Sequence, residues 1–247
     1  LLSNTTGHSN SAFGADLPGV VAGSALSANT TGLRNVAFGG STLATNTTGS
    51  DNTAIGAQAL YANTTASNNT AIGRNSLGAN TTGSENTVVG KDAGKAVTTG
   101  EQNTLIGSLA GDALTDADFN VAFGKSALST DTLGSRSTAI GTAALFTQNF
   151  TSATDSYNTA VGFYAGLALT TGTGNTLIGG LVGDAITTGT NNTAVGKSSL
   201  SANTTASNNT AIGFSSLESN TTGTGNTAVG ATALDANTTA DGNTAVG

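Results

Sequence analysis

A short phrase ending in glycine recurs along almost the whole chain, and its spacing is the strongest constraint on the fold. The phrase is x-[TV]-[AVL]-[IVF]-G, and its copies lie 17 residues apart except for a step of 21 between Gly141 and Gly162. An earlier copy ends at Gly14, 25 residues before Gly39. A fixed short period is the signature of stacked repeats, in which each unit contacts only its neighbours. Positions are numbered below from the repeat glycine as 0.

The 17-residue period is too short for a two-helix repeat, and Thr, Val, Ile and Phe before each glycine favour a strand. We therefore predict an all-β chain that forms a parallel β-solenoid (β-roll) of about fourteen 17-residue coils, with residues 1–247 as a single repeat domain. The two longer steps predict loop insertions near 15–22 and 147–155. A second extended segment is expected through +4 and +7 to +9, followed by a corner at +10 and +11 where glycine takes a positive φ.

Side-chain size covaries between positions within this one chain. Most coils carry Leu at +4 and Asn at +7, whereas four carry Gly at +4 and an aliphatic residue at +7. The four exceptional pairs are Gly94 with Val97, Gly111 with Leu114, Gly166 with Leu169, and Gly183 with Ile186. Close-packed interiors compensate volume in this way, so −2, +4 and +7 are predicted to share one small core. Asn at +7 and −4 is predicted to form hydrogen-bonded ladders from coil to coil.

Position −1 is apolar in every copy of the phrase. Because neighbouring strand residues face opposite sides, an inward −2 residue predicts an outward −1 residue. The stacked residues would form an apolar stripe about 60 Å long, which we predict to be buried between identical chains, most simply in a cyclic trimer. In the alternative interpretation −1 points inward and −2 points out. The stripe comprises Phe13, Phe38, Ile55, Ile72, Val89, Ile106, Phe123, Ile140, Val161, Ile178, Val195, Ile212, Val229 and Val246.

The wording of the repeats resembles a known family. Phrases such as NTAIGAQAL at 52–60 and NTAVGKSSL at 192–200 are similar to the head repeats of trimeric autotransporter adhesins, the YadA-like heads, and to repeats of phage and environmental bacterial fibre proteins. The resemblance covers the whole chain. It implies a left-handed parallel β-roll, three chains packed about a fibre axis, exposure on a cell or particle surface, and adhesion to a host-cell surface, matrix or glycan.

Composition argues against an enzyme. Only 9% of the 247 residues are charged, there is no Cys, and the net charge is −7. The Lys and Arg residues are scattered, which disfavours nucleic-acid binding, and the short apolar runs predict no membrane span. The absence of Met predicts that this sequence is a window of a longer or processed protein. We expect no catalytic residues, no cofactors and no metal site.

Three local features could carry chemistry, and for each a structural role is favoured. His8 is the single histidine and is expected to be a surface substitution. Gly-Lys-Ser at 124–126 and 196–198 ends like a phosphate loop but lacks its leading glycine, so both copies are predicted to be corners. The acidic cluster Asp112, Asp116 and Asp118 departs from calcium-loop spacing and is predicted to be a solvated turn.

Threonine columns leave a second function open. Thr at +8 would align in a possible surface-binding rank that could match ice or polysaccharide, beside a second column at +9; alternatively, Thr only suits a strand edge or corner. The +8 rank includes Thr47, Thr64, Thr81, Thr204, Thr221 and Thr238. The sequence thus predicts a structural or adhesive fibre or filament at a bacterial surface, extracellular or on a virion, with a phage tail-fibre shaft or an ice-binding solenoid as the alternatives. End-to-end association of single solenoids is also possible.

Overall fold

The computed structural model describes residues 2–14 and 23–247, so the insertion predicted near 15–22 lies outside the described residues. The described residues contain no helix and fold as a parallel β-solenoid with one three-residue strand per 17-residue coil, as the periodicity predicted. The chain divides into two compact units, Leu1–Asn120 and Val121–Gly247, and each is described by itself. The prediction of one domain over 1–247 stays a prediction.

Each unit contains one parallel sheet with its strands in exact coil-to-coil order. The first unit holds six strands: β1 (Ser11–Phe13), β2 (Val36–Phe38), β3 (Thr53–Ile55), β4 (Thr70–Ile72), β5 (Thr87–Val89) and β6 (Thr104–Ile106). The second holds eight in its main sheet: β7 (Val121–Phe123), β9 (Thr138–Ile140), β11 (Thr159–Val161), β12 (Thr176–Ile178), β13 (Thr193–Val195), β14 (Thr210–Ile212), β15 (Thr227–Val229) and β16 (Thr244–Val246). A separate pair joins β8 (Gly134–Ser135) to β10 (Thr154–Asp155). These strands mark about twelve turns over the described residues.

The predicted second extended segment is wrong, because the chain turns sharply there. In the coil after Gly56, Gln58 and Leu60 have φ of 61° and 49°, the left-handed region. The N–H of Ala59 donates to the carbonyl of Gly56 at 3.1 Å, and the N–H of Asn63 to that of Leu60 at 3.2 Å. A coil this short must reverse direction within a few residues, and successive turns achieve that.

The second corner also differs from the prediction. A positive φ occurs at the residue before the −4 Asn, for example 59° at Asp51 and 61° at Asn68, and not at the glycine of +10. Short polar side chains tolerate the left-handed region better than most, which suits Asn and Asp to this place.

The repeat glycine is required for two reasons. At Gly179 the φ is +144°, which side-chain-bearing residues rarely adopt, and an added β-carbon would lie 2.6 Å from the carbonyl oxygen of Gly196 in the next coil. Neighbouring backbones therefore approach too closely at this corner for any other residue.

The interior confirms the predicted covariation of −2, +4 and +7. Leu105, at −2, lies between two glycines: its methyl groups would be 2.9 and 2.8 Å from β-carbons added at Gly94 and Gly111. Leu177 stands in the same way between Gly166 and Gly183, at 2.9 and 3.0 Å. One large side chain at −2 thus fills space in its own coil and in the preceding one.

Two asparagine ladders run through the interior, as predicted. At −4, Nδ2 of Asn52 donates to Oδ1 of Asn35 at 3.1 Å and to the carbonyl of Ala66 at 2.9 Å. The backbone N–H of Asn52 also donates to Oδ1 of Asn35, at 3.1 Å. At +7, Nδ2 of Asn80 donates to Oδ1 of Asn63 at 3.1 Å. Each ladder satisfies polar groups that would otherwise be buried without partners.

The 21-residue coil replaces the ladders with a different buried network. Pairing of Thr154 with Gly134 places the four extra residues at 150–153, inside the insertion predicted near 147–155. Asp131, at +7, accepts from Nε2 of Gln148 at 2.6 Å and from the N–H groups of Gly134 and Phe150 at 3.1 Å each. The buried Phe150 ring then covers this network.

Candidate interface on the outer face of the strands

The strands alternate inward and outward side chains as the phrase predicts. In β4, Ala71 at −2 is fully buried, whereas Ile72 at −1 is 36% exposed. The same alternation recurs in the strands of both units, so the alternative interpretation, with −1 inward and −2 outward, is wrong. Thr70 at −3 shares the outer side with Ile72 and is half-buried.

The predicted stripe residues are all accessible at the strand surface. Along the stripe the Val members and Ile106 are half-buried, because they are shorter or lie beside larger neighbours. The exposed members are Phe13, Phe38, Ile55, Ile72, Phe123, Ile140, Ile178, Ile212 and Val246. An apolar side chain in this position loses contact with water only if another surface covers it.

Strand register stacks the stripe residues directly on one another. Ile55 pairs with Ile72, and Ile72 with Val89, in the first unit. The rings of Phe13 and Phe38 are stacked with centroids 5.1 Å apart. At the usual spacing between strands, the stripe is about 24 Å long in the first unit and about 34 Å long in the second.

The strand face carries no charge. Positions −3 and −1 of the described strands are Ser, Thr, Val, Ile or Phe. Ion pairs lie at the corners instead: Nε of Arg34 is 2.6 Å from Oδ1 of Asp51, and Nε of Arg136 is 3.1 Å from Oδ2 of Asp155. The hydrogen bond from Arg34 lowers the pKa of Asp51 below its ordinary value. An uncharged strip bordered by polar and charged residues is the usual anatomy of a protein interface.

The two threonine columns differ in exposure. At +8 the hydroxyl is used within the solenoid: Oγ1 of Thr47 donates to the carbonyl of Thr64 at 3.0 Å, and Oγ1 of Thr64 to that of Thr81 at 3.1 Å. Thr204 and Thr221 donate in the same way. The +9 residues, such as Thr65, are exposed. The +9 column, not the +8 rank, therefore presents free hydroxyls to solvent.

The three acidic residues singled out in the sequence contact the preceding coil. Asp112 is 3.0 Å from Nζ of Lys95, Asp116 accepts a hydrogen bond from Thr99, and Asp118 accepts one from the N–H of Glu101 at 2.7 Å. Within residues 2–14 and 23–247, no three His, Cys, Asp or Glu side chains converge as a metal site would require.

His8 is exposed, and its Nδ1 lies 3.3 Å from Oγ of Ser9. Both Gly-Lys-Ser copies are corners that follow a repeat glycine, as predicted: Gly124 and Gly196 have φ of 143° and 134°.

Among the described residues, no helix has the length and hydropathy needed to cross a bilayer. Comparison with protein-family models, with curated proteins and with solved structures finds no match to this chain.

Proposed function

We propose that this protein is a non-enzymatic structural or adhesive fibre component of a bacterial surface, extracellular, and assembled from identical chains through the apolar stripe. The observation that carries this proposal is the outward, in-register column of Ile, Val and Phe on an uncharged strand face. Exposed apolar surface of this extent, bordered by polar residues, is typical of a contact surface.

A second copy of the same chain is the partner that fits best. The stripe presents one apolar side chain for each strand spacing of about 4.8 Å, and another solenoid offers knobs and gaps with that same repeat. Closed symmetry buries identical surfaces without leaving one exposed, and a cyclic trimer does so with the fewest chains in which each copy contacts two others. The resemblance to adhesin head repeats agrees with this arrangement and suggests adhesion as the use of the fibre.

The absolute mass in solution tests the assembly. Light scattering across a hundredfold dilution is expected to give three times the chain mass of 23.8 kDa throughout. The double variant Ile72→Lys/Ile178→Lys places one charge in the stripe of each unit and is expected to give the single-chain mass, because a buried unpaired ammonium is strongly unfavourable.

The matched control is Thr65→Lys/Thr171→Lys, which adds the same charges at exposed +9 positions. It is expected to keep the wild-type mass, and circular dichroism should show that both variants remain folded. A wild-type protein that is monomeric at every concentration would contradict burial of the stripe between chains.

Adhesion needs its own measurement. Beads coated with the assembled protein are expected to be retained on cell layers more than beads coated with the same protein after heat unfolding. Equal retention would leave a structural fibre without an adhesive role.

A further inference from the structure

A surface cavity of about 270 Å³ lies beside the 21-residue coil, on the corner after the repeat glycine and away from the stripe. Its base is Ala143, and its apolar walls include Phe146, Tyr164 and Leu167. Six of the eleven aromatic residues of the chain fall between 123 and 164, so the aromatic content is concentrated around this irregular coil.

The cavity exists because a small residue lies between large ones in neighbouring coils. Position +2 is Ala143 in one coil and Tyr164 in the next, while +5 is Phe146 and then Leu167. The Tyr164 ring stacks on Phe163 with centroids 3.9 Å apart and planes at 17°, which holds the ring in place. Leucine is compatible with position +2, because Leu181 occupies it with a φ of 56°, close to the 52° of Ala143.

The rim of the cavity is cationic and rich in hydroxyl groups. Lys125 is exposed, and no ion pair joins it to a carboxylate in the part of the chain that the structure describes. Ser126 and Thr142 also line the cavity. None of the lining residues is acidic. A ligand here would meet one positive charge and hydroxyl donors beside an apolar base.

The second Gly-Lys-Ser copy is a natural comparison. Lys197 and Ser198 occupy the same two positions as Lys125 and Ser126. The neighbouring +5 residues, however, are Asp184, Ser201 and Glu218, which provide no aromatic wall and add negative charge. The tripeptide alone therefore does not make the cavity; the aromatic residues of the irregular coil do.

We propose that this cavity binds a compact organic carboxylate whose body is a single apolar ring. The carboxylate would pair with Lys125, whose charge has no partner, and the ring would lie over Ala143 between Phe146 and Tyr164. The volume is just below the range typical of pockets for drug-sized ligands, which suits a ligand of one ring and a short chain. This inference does not depend on the assembly proposed above.

Isothermal titration of the assembled wild-type protein with 3-phenylpropionate tests the proposal. Acetate supplies the carboxylate without the ring, and 3-phenylpropionamide supplies the ring without the charge. Saturable binding is expected for 3-phenylpropionate, with affinity at least tenfold weaker for the amide and none detectable for acetate, since a charge-assisted contact is worth about a factor of ten.

Three variants locate the site. Ala143→Leu fills the cavity with a side chain that the +2 column already accepts and is expected to abolish binding. Lys125→Gln is expected to weaken binding about tenfold. Lys197→Gln, the matched change at the second Gly-Lys-Ser copy, is expected to leave the affinity unchanged.

Absence of saturable binding to the wild type would overturn the proposal. So would equal binding to Ala143→Leu, or an equal effect of the two lysine variants. If the probe fails to bind and Ala143→Leu instead changes the mass in light scattering, the cavity is a contact between copies of the chain and the ligand proposal is wrong.

Discussion

Nδ2 of Asn63 donates a 2.7 Å hydrogen bond to Oδ1 of Asn46, which holds the same place one coil earlier. The same amide group also donates to the carbonyl of Ala66 at 3.1 Å. The ladder stops at Asn80, whose Oδ1 is buried without a partner, because the next coil has Val97 where a donor would stand. Each internal member therefore satisfies a neighbour as well as itself.

Asn63→Ala is expected to lower the free energy of unfolding by about 1–3 kcal/mol, since it leaves the buried Oδ1 of Asn46 without its donor. Urea unfolding followed by circular dichroism measures this. The control Thr65→Ala removes an exposed hydroxyl from the same coil and is expected to change stability by less than about 0.5 kcal/mol. Equal midpoints for the two variants would show that the ladder contributes nothing.

Leu177→Ala is expected to cost about 2–5 kcal/mol, because its side chain fills space opposite both Gly166 and Gly183. The cavity would extend into two coils that have no large side chain at +4 to collapse into it. Leu181→Ala deletes the same atoms from a half-buried position and should cost clearly less. If the two substitutions shift the urea midpoint equally, Leu177 does not have the packing role assigned to it.

Gly179→Ala and Gly180→Ala are adjacent changes with opposite expected results. At Gly179 the backbone has φ of +144° and the new methyl group would meet the next coil, so a loss of about 3 kcal/mol or more is expected. At Gly180 nothing lies within 4 Å of an added β-carbon, and the change is expected to be neutral or to stabilise by up to about 1 kcal/mol. Thermal unfolding of both variants checks this; tolerance of alanine at 179 would contradict the close approach of the coils.

Asp184→Asn is expected to stabilise the protein at neutral pH. Burial raises the pKa of Asp184 above its ordinary value, and its Oδ1 is buried without a hydrogen-bond partner. Between the ordinary and the raised pKa, the folded state holds more protons than the unfolded state. Its stability therefore falls as pH rises through that window.

The Asn variant should lose this part of the pH profile, as measured by urea unfolding at a series of pH values. Asp235 occupies the same repeat position and is exposed, so Asp235→Asn should have little effect. A wild-type stability that rises through the same window, or no difference between the two variants, would contradict the assignment to Asp184.

Spacing and volume were sufficient to predict much of the fold. The 17-residue period, the inward −2 residue and the outward −1 residue follow from a glycine that recurs in step with strand-forming residues. Gly94 with Val97 and Gly183 with Ile186 showed a shared interior before any coordinates, because packing volume must be conserved from coil to coil.

The turns could not be predicted in the same way. Leu60 at a φ of 49° violates the local preference of a branched side chain, and no pattern in its own coil indicates that conformation. It is stable because the side chain is fully buried, and because the N–H of Leu60 donates at 3.0 Å to the carbonyl of Ser76 in the next coil. Contacts between coils overrode the intrinsic preference of the backbone.

By itself the sequence determined the solenoid, its period, its interior columns and the apolar stripe, because these depend on residue type repeated at fixed spacing. Only the tertiary structure decided which threonine column is free and where the cavity beside Ala143 lies. It also showed that one leucine at 177 serves two coils. These features depend on the direction of individual side chains across neighbouring coils, and that direction is set by backbone turns and packing that a one-dimensional pattern does not contain.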